Sequence, residues 1–470
     1  MRRCSLLLAT CLCALAGAGQ AGAGGFTSQE VTITADDGVV LAAGLYQPAG
    51  TPPPGGWPGV VAFHGLGGKH QGIDAVSQAF AAAGYVVLAP DARAHGASGG
   101  LFTLDGPREQ QDIRQEFDWL AARPGVDAKK IGCWGISLGG GAAMNSALAG
   151  VPWAAIETVE TWSDLYGSLF PHDLGKTGAI FTFTQSVPTS TLPPELVPLV
   201  KDMLANRNLA ALKAFFDTRS SIARDSTLTV PTFLFQGRRD FAFDIDQAAS
   251  AYRRLGGPKR LYVGDFGHAP STFPGPDIAH VLDLGTRWFD RFLKGMPNGI
   301  DTSPPVEVAP NPWTGTTASF AGLPPTRSLS FTLRGKSKLA ATGKVVRSAR
   351  LASTVEQFGA PVVKATLSSS GSFAHVVAVL TVKSATGEDV VTEGGRLLNV
   401  GPKPKTYSFT LISDANLLRK GATLKLTLAG ASTAQNGANL LYLNQPAATA
   451  RLTVGTVRLT VPVLQKTISR

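Results

Sequence analysis

Continuous apolar runs separated by helix-length amphipathic stretches fill residues 24–300 of this 470-residue chain. Gly59-Val60-Val61-Ala62-Phe63, Tyr85-Val86-Val87-Leu88-Ala89, Ile131-Gly132-Cys133-Trp134 and Thr232-Phe233-Leu234-Phe235 show little polar alternation. A strand with one wet face would alternate, so these predict strands covered on both faces, the mark of a parallel sheet. Helical patterns lie between them, around residues 75–83, 110–122, 246–255 and 277–293. Residues 31–34 and 39–46, joined through Asp36-Asp37-Gly38, predict an opening hairpin. From about 158 to 227 the strand–helix alternation stops. Aromatics such as Trp162, Tyr166, Phe170 and Phe183 accompany helical patterns at 195–203 and 209–216 there. A helical segment inserted between sheet strands predicts a cap.

A different pattern follows a proline- and glycine-rich stretch. Short alternating runs at 328–333, 362–367, 376–382, 407–411, 423–428, 440–443 and 457–463 sit between Gly, Ser and Asn turns, with no helical period. They predict an all-β sandwich or jelly roll. The predicted organisation is therefore a leader over 1–23 and a doubly wound α/β sheet over 24–300, capped at about 158–227. A linker over 301–325 and a β-sandwich over 326–470 complete it.

Composition changes this picture at two places. Arg2 and Arg3, an apolar run over 6–18 and Ala21-Gly22-Ala23 have the order of a secretory signal, too short to span a bilayer. The expectation is export to a periplasm or the medium. Thr10 before Cys11 suits lipid attachment poorly. Three of the four cysteines lie in this leader, so the exported chain keeps Cys133 and must rest on its core rather than on disulfides. The net charge of +10 is uneven: residues 301–470 hold 19 Lys and Arg against 7 Asp and Glu. That predicts a basic β-domain, read as a solvated face or as one attracted to an anionic envelope surface. Its cations are scattered singly with few aromatics between them, which argues against nucleic acid.

The candidate chemistry starts at Gly135-Ile136-Ser137-Leu138-Gly139, which lies between a buried strand and a run of helix-forming small residues. A serine on a sharp strand-to-helix turn exposes its Oγ, and the next N–H and the helix dipole face any oxyanion formed there. Its partners should also stand at carboxyl ends of strands. Asp240 follows the strand at 232–235 and His268 follows the one at 260–263; the chain order Ser, Asp, His is that of the α/β-hydrolase fold, which is the fold expected of residues 24–300. Ser137 is the candidate nucleophile, His268 the base and Asp240 the orienting acid, with Asp244 as the alternative acid. His64-Gly65-Leu66-Gly67-Gly68 follows an earlier strand. The backbone N–H groups of Leu66 and Leu138 are the expected oxyanion donors. His64 and the Asp91-Ala92-Arg93 loop read as structural braces. Metal-ligand spacing, a P-loop and a strand-linked GxGxxG are missing from the sequence, so neither metal nor cofactor is expected.

With Gly135–Gly140, Asp91-x-Arg93, Ser98-x-Gly100, Pro231…Gly237-x-x-Asp240 and His268 in place, the chain resembles one hydrolase family. This is the Xaa-Pro dipeptidyl-peptidase (S15) and cocaine-esterase-like (CocE/NonD) group. Phe358-Gly359-Ala360-Pro361-Val362 and Leu417-Leu418-Arg419-Lys420-Gly421 resemble its C-terminal jelly roll. The resemblance implies acyl transfer through the serine, on a small ester or a short peptide. Leu138, Leu66 and Arg238-Arg239 stand where the family often has tyrosines or an aromatic pair. These departures, and the lack of an obvious acid pair in the cap for a substrate ammonium, favour an esterase. The alternatives are an Xaa-Pro dipeptidyl-peptidase and an inactive envelope-binding protein.

Overall fold

The computed structural model describes residues 25–371, 373–433 and 440–469; the expected leader over 1–23 lies outside them. The chain opens with the antiparallel pair β1 (Phe26–Thr34) and β2 (Val40–Pro48). β3 (Trp57–Phe63), β4 (Val86–Pro90), β5 (Val126–Ile136), β6 (Ile156–Val159), β7 (Thr232–Gly237) and β8 (Lys259–Gly264) follow. The sheet order is β1-β2-β4-β3-β5-β6-β7-β8, with β2 antiparallel to β4 and every later neighbour parallel.

The pleat sends successive residues of β3 to opposite faces, and both faces are dry. Val60 and Ala62 pack with α1 (Asp74–Ala82) and the long C-terminal helix of this domain (Ile278–Leu293), through Phe80, Trp288 and Phe289. Val61 and Phe63 pack on the other side with α2 (Pro107–Ala121) and α3 (Leu138–Leu148), through Phe117, Ala143 and Met144. Doubly covered strands explain the unbroken apolar runs.

Between β6 and β7 the cap forms four helices: α4 (Leu165–Leu169), α5 (Thr177–Ser186), α6 (Val197–Ala205) and α7 (Leu209–Asp217). α8 (Ile245–Arg254) follows β7, and the long helix over 278–293 is α9. The stretch 301–325, expected as a linker, instead adds two strands to the sheet. β9 (Val306–Val308) runs parallel to β8, and β10 (Ala318–Phe320) pairs antiparallel with β9. Three-residue strands are too short to show a period, and the surrounding prolines hide them.

The remainder is two antiparallel sheets face to face. In one, β18 (Lys405–Thr410), β15 (Val362–Ser368), β21 (Arg451–Leu464), β14 (Val355–Gly359) and β19 (Asp414–Leu418) lie in that order. β11 (Thr326–Leu333) and β12 (Ser337–Ala340) also pair with β21. The other runs β13 (Lys344–Arg350), β20 (Thr423–Ala429), β16 (His375–Lys383) and β17 (Glu388–Leu397). Alternate residues such as Val363, Ala365 and Leu367 meet Leu424, Leu426 and Leu428 between the sheets. The segment 440–443 is not a strand. It lies along the cap, where Gly178 N–H donates to the Leu441 carbonyl at 2.7 Å and Leu443 N–H to Thr177 Oγ1 at 3.0 Å.

Candidate active site

Ser137 occupies the turn between β5 and α3 at φ 54°, ψ −114°, a backbone state that costs a non-glycine residue about 1–3 kcal/mol. The surroundings over-determine it. Ser137 N–H donates to the Val159 carbonyl at 2.8 Å, and its own carbonyl accepts from Thr161 Oγ1 at 2.8 Å. Two glycines are sterically required. A Cβ on Gly135 would lie 2.0 Å from the Gly139 carbonyl oxygen, and one on Gly139 would lie 2.3 Å from that of Phe63. Leu138, as the first residue of α3, has an N–H without an intrahelical acceptor. The glycine loop after β3 lies against the serine: a Cβ on Gly65 would sit 3.5 Å from Ser137 Cβ. Leu66 and Leu138 border the same cavity as Ser137.

The loops after β7 and β8 bring the other two residues to this turn. His268 Nε2 lies 2.9 Å from Ser137 Oγ, and His268 Nδ1 lies 2.7 Å from Asp240 Oδ2. Asp240 is fully buried, and its other oxygen accepts from the N–H groups of Ala242 and Phe243, each at 2.9 Å. Burial works against a charged imidazole at His268, but the charge and hydrogen bond of Asp240 prevail and raise its pKa above the usual 6.5. The order is that expected of a nucleophile, a base in contact with it, and a carboxylate that fixes the tautomer of the base. Asp244, the alternative acid, faces away; it accepts from Ser413 N–H at 2.9 Å.

The acid loop is held from outside the α/β sheet. Arg238 is buried and donates to Glu356 Oε1 on β14 at 2.5 Å and to the Ala309 carbonyl. Arg239 Nη2 donates to the Val390 carbonyl on β17 at 3.0 Å. From the cap, buried Lys176 Nζ donates to the Phe241 carbonyl at 2.8 Å. Phe241 itself packs with Val377, Val379 and Ile412 of the β-sandwich. The other histidines keep structural company: buried His64 Nε2 lies 3.0 Å from Ala92 N, and His70 Nδ1 lies 2.9 Å from Asp91 Oδ1. Arg93 is clamped by Asp112, with both bonds at 2.7 Å, and by Asp37.

A cavity with about 920 Å³ of empty space, part of it open to solvent, leads from Ser137 into the cap. Leu66, Phe102, Trp162, Leu169, Phe183 and Phe243 contribute to its wall, and its described lining includes threonines and Ser137 but no charged side chain. Not all the cap aromatics reach it. Tyr166 and Phe170 stack beneath it with centroids 5.4 Å apart, and Phe181 points outward at 50% exposure.

Sequence reasoning passed over one residue here. Glu160 is buried at the carboxyl end of β6, with Oε2 3.5 Å from His268 Nδ1. The rule that selects Asp240, an acid just after a strand, applies to Glu160 as well. It escaped because the alternation breaks at residue 158, so the stretch reads as cap.

The chain is similar to hydrolases in sequence and in fold. Residues 37–270 match the family model of the X-Pro dipeptidyl-peptidase (S15 family). A Bacillus anthracis protein provisionally named Xaa-Pro dipeptidyl-peptidase is 22% identical over 249 residues, covering 48% of this chain but 41% of its own length. The solved CocE/NonD family hydrolase of Staphylococcus aureus superposes with a TM-score of 0.74 at 14% identity, over 93% of this chain and 94% of its own. An α-amino acid ester hydrolase superposes at 0.67 with 15% identity, over 98% and 100%. At such identities the structures speak for the fold, sandwich included.

Proposed function

We propose that this chain, whose residues 37–270 match the X-Pro dipeptidyl-peptidase (S15 family) model and whose fold is that of a CocE/NonD hydrolase, is an exported serine hydrolase acting on esters of uncharged, apolar acyl groups. Ser137 Oγ attacks the ester carbonyl while His268 Nε2 accepts its proton. The N–H groups of Leu66 and Leu138 receive the oxyanion, and Asp240 holds the imidazole in the productive tautomer. His268 then protonates the departing alkoxide. A water molecule, deprotonated by the same nitrogen, releases the acid from the acyl-Ser137 intermediate.

The observation that carries the choice of substrate is the uncharged wall of the cavity that starts at Ser137. A dipeptidyl-peptidase must bury its substrate's ammonium, and an unpaired buried charge costs several kcal/mol. No cap carboxylate is among the residues that line the cavity; Glu195 is solvent-exposed, and four others are engaged elsewhere. Asp164 accepts from Gly167 N–H, Asp173 from Tyr166 Oη, Asp202 from Asn208, and Asp217 from Lys213. Export rests on residues 1–23, and N-terminal sequencing of protein recovered outside the cytoplasm should begin near Gly24.

The deciding measurement compares p-nitrophenyl acetate, butyrate and octanoate with Ala-Pro and Gly-Pro anilides. Each added CH₂ that the cavity buries should raise kcat/KM about fourfold until it fills, at ~0.8 kcal/mol per group. Anilides that outpace the esters would reverse the substrate assignment. A fluorophosphonate should label the protein, and Ser137→Ala should abolish labelling and lower kcat by about 10⁴–10⁶; undiminished labelling would remove Ser137 as the nucleophile.

A further inference from the structure

We propose that Glu160 is a second carboxylate partner of the base, a positioning residue that shares the Nδ1 side of His268 with Asp240 and can take over its role. The inference rests on the reading of Ser137 and His268 as nucleophile and base.

Three observations place Glu160 there. Its Oε2 lies 3.5 Å from His268 Nδ1, just beyond hydrogen-bond length, while Asp240 Oδ2 holds the same nitrogen at 2.7 Å. Its Oε1 is buried with no hydrogen-bond partner among the described residues, so the carboxyl is not consumed by structure. An orphaned buried polar atom is uncommon and needs a reason. Its backbone sits at φ 50°, a left-handed state unusual for a long side chain, pinned by Glu160 N–H to the Phe235 carbonyl at 2.9 Å. The same residue is thus strained in backbone, buried in side chain and aimed at the base.

Carboxylates from separate loops meet at this point. Asp240 comes from the loop after β7 and Glu160 from the end of β6. Donor atoms of Glu160, Asp240 and His268 all lie within 4.8 Å of one another, a spacing a cation could use. Nδ1 is instead engaged by Asp240 in a short hydrogen bond. Burial pushes the Glu160 carboxyl up to about 8; His268 opposes this, and the charges of Asp240 and Asp277 add to it. Neighbouring acids divide one charge when a second would repel the first. In the resting protein Glu160 holds its proton beside the charge of Asp240. Removing the Asp240 charge removes that repulsion, so Glu160 releases its proton to solvent more readily. Its carboxylate then accepts the Nδ1–H bond, which leaves the Nε2 lone pair facing Ser137 Oγ.

The test is a double-mutant cycle read as kcat on a p-nitrophenyl ester, with Asp240→Asn, Glu160→Gln and the pair. In a triad with one acid, Asp→Asn costs about 10⁴ because the wrong tautomer forms. Here Asp240→Asn alone should cost only about 10², and the double variant about 10⁴, the full loss of a triad without an acid. Glu160→Gln alone should cost less than about tenfold, since the neutral amide mimics the resting acid. The kcat of Asp240→Asn should also rise with pH as Glu160 ionises, and that rise should vanish in the double variant.

A double variant no slower than Asp240→Asn, or a pH profile that Glu160→Gln leaves unmoved, would overturn the proposal. If Asp240→Asn does not fold, the His268 Nδ1–H proton resonance supplies the answer without it. Beside the imidazole's own titration, that signal should show a further step near pH 8 in the wild-type protein that Glu160→Gln lacks; identical titrations would overturn the proposal. Ser137→Ala run alongside keeps the two readings apart. Retained turnover there overturns the hydrolase, whereas an inactive Ser137→Ala with an additive cycle overturns Glu160 alone.

Discussion

The proposed nucleophile and the proposed acid of this site are held in opposite ways. Ser137 is positioned by its immediate sequence: a buried strand, a strained turn, glycines that admit neighbouring backbone, and a helix start. Asp240 is positioned by remote chain. Arg238 reaches Glu356 in the β-sandwich, Arg239 reaches Val390, and Lys176 comes from the cap. A nucleophile needs one exact backbone state, which a short peptide can encode. An acid needs a fixed direction relative to a histidine on another loop, which requires an outside support. The appended sandwich therefore braces the loop that carries Asp240, through the Arg238-Arg239 pair.

The largest expected effect falls on the remote support. Glu356 accepts from Arg238, from Ser469 Oγ at 2.6 Å and from the N–H groups of Ile468 and Ser469. Glu356→Gln leaves a buried guanidinium unpaired and should cost about 3–5 kcal/mol in urea unfolding. Activity should fall with it, although the substitution is far from the serine. Unchanged kcat and stability would mean that the acid loop stands without the sandwich.

The local support is tested by Gly139→Ala. Alanine would gain about 1 kcal/mol of helix propensity, but its Cβ would meet the Phe63 carbonyl oxygen at 2.3 Å. Overlap should win, with a net loss of about 1–3 kcal/mol and a larger fractional loss of kcat than of KM. A stabilised, fully active variant would show that the elbow has slack.

The smallest effect is on pH dependence. Asp240 raises the imidazolium of His268, and the base works only when unprotonated. The acid limb of kcat/KM should therefore fall as pH drops through a value above the ordinary 6.5 of histidine. An inflection at or below 6.5 would mean that the charge of Asp240 is not felt at the ring.

How legible the site was depended on whether its signal is local. Strand ends gathered Ser137, Asp240 and His268, because parallel strands deliver their following loops to one edge. The same rule would have found Glu160, had β6 not been so short that its end merged with the cap. Arg238 read only as a departure from an aromatic pair, since nothing in the sequence points to Glu356, more than a hundred residues later.

The amino-acid sequence alone determined the doubly wound sheet, the inserted cap, the β-sandwich and the serine on its elbow, because burial periodicity and turn sterics act over a few residues. Only the tertiary structure decided that 301–325 extends the sheet, that 440–443 lies on the cap, that the cavity wall carries no charge, and that a second acid faces the base. These depend on which distant surfaces meet, and neither the pattern of polar and apolar residues nor any local spacing encodes that meeting.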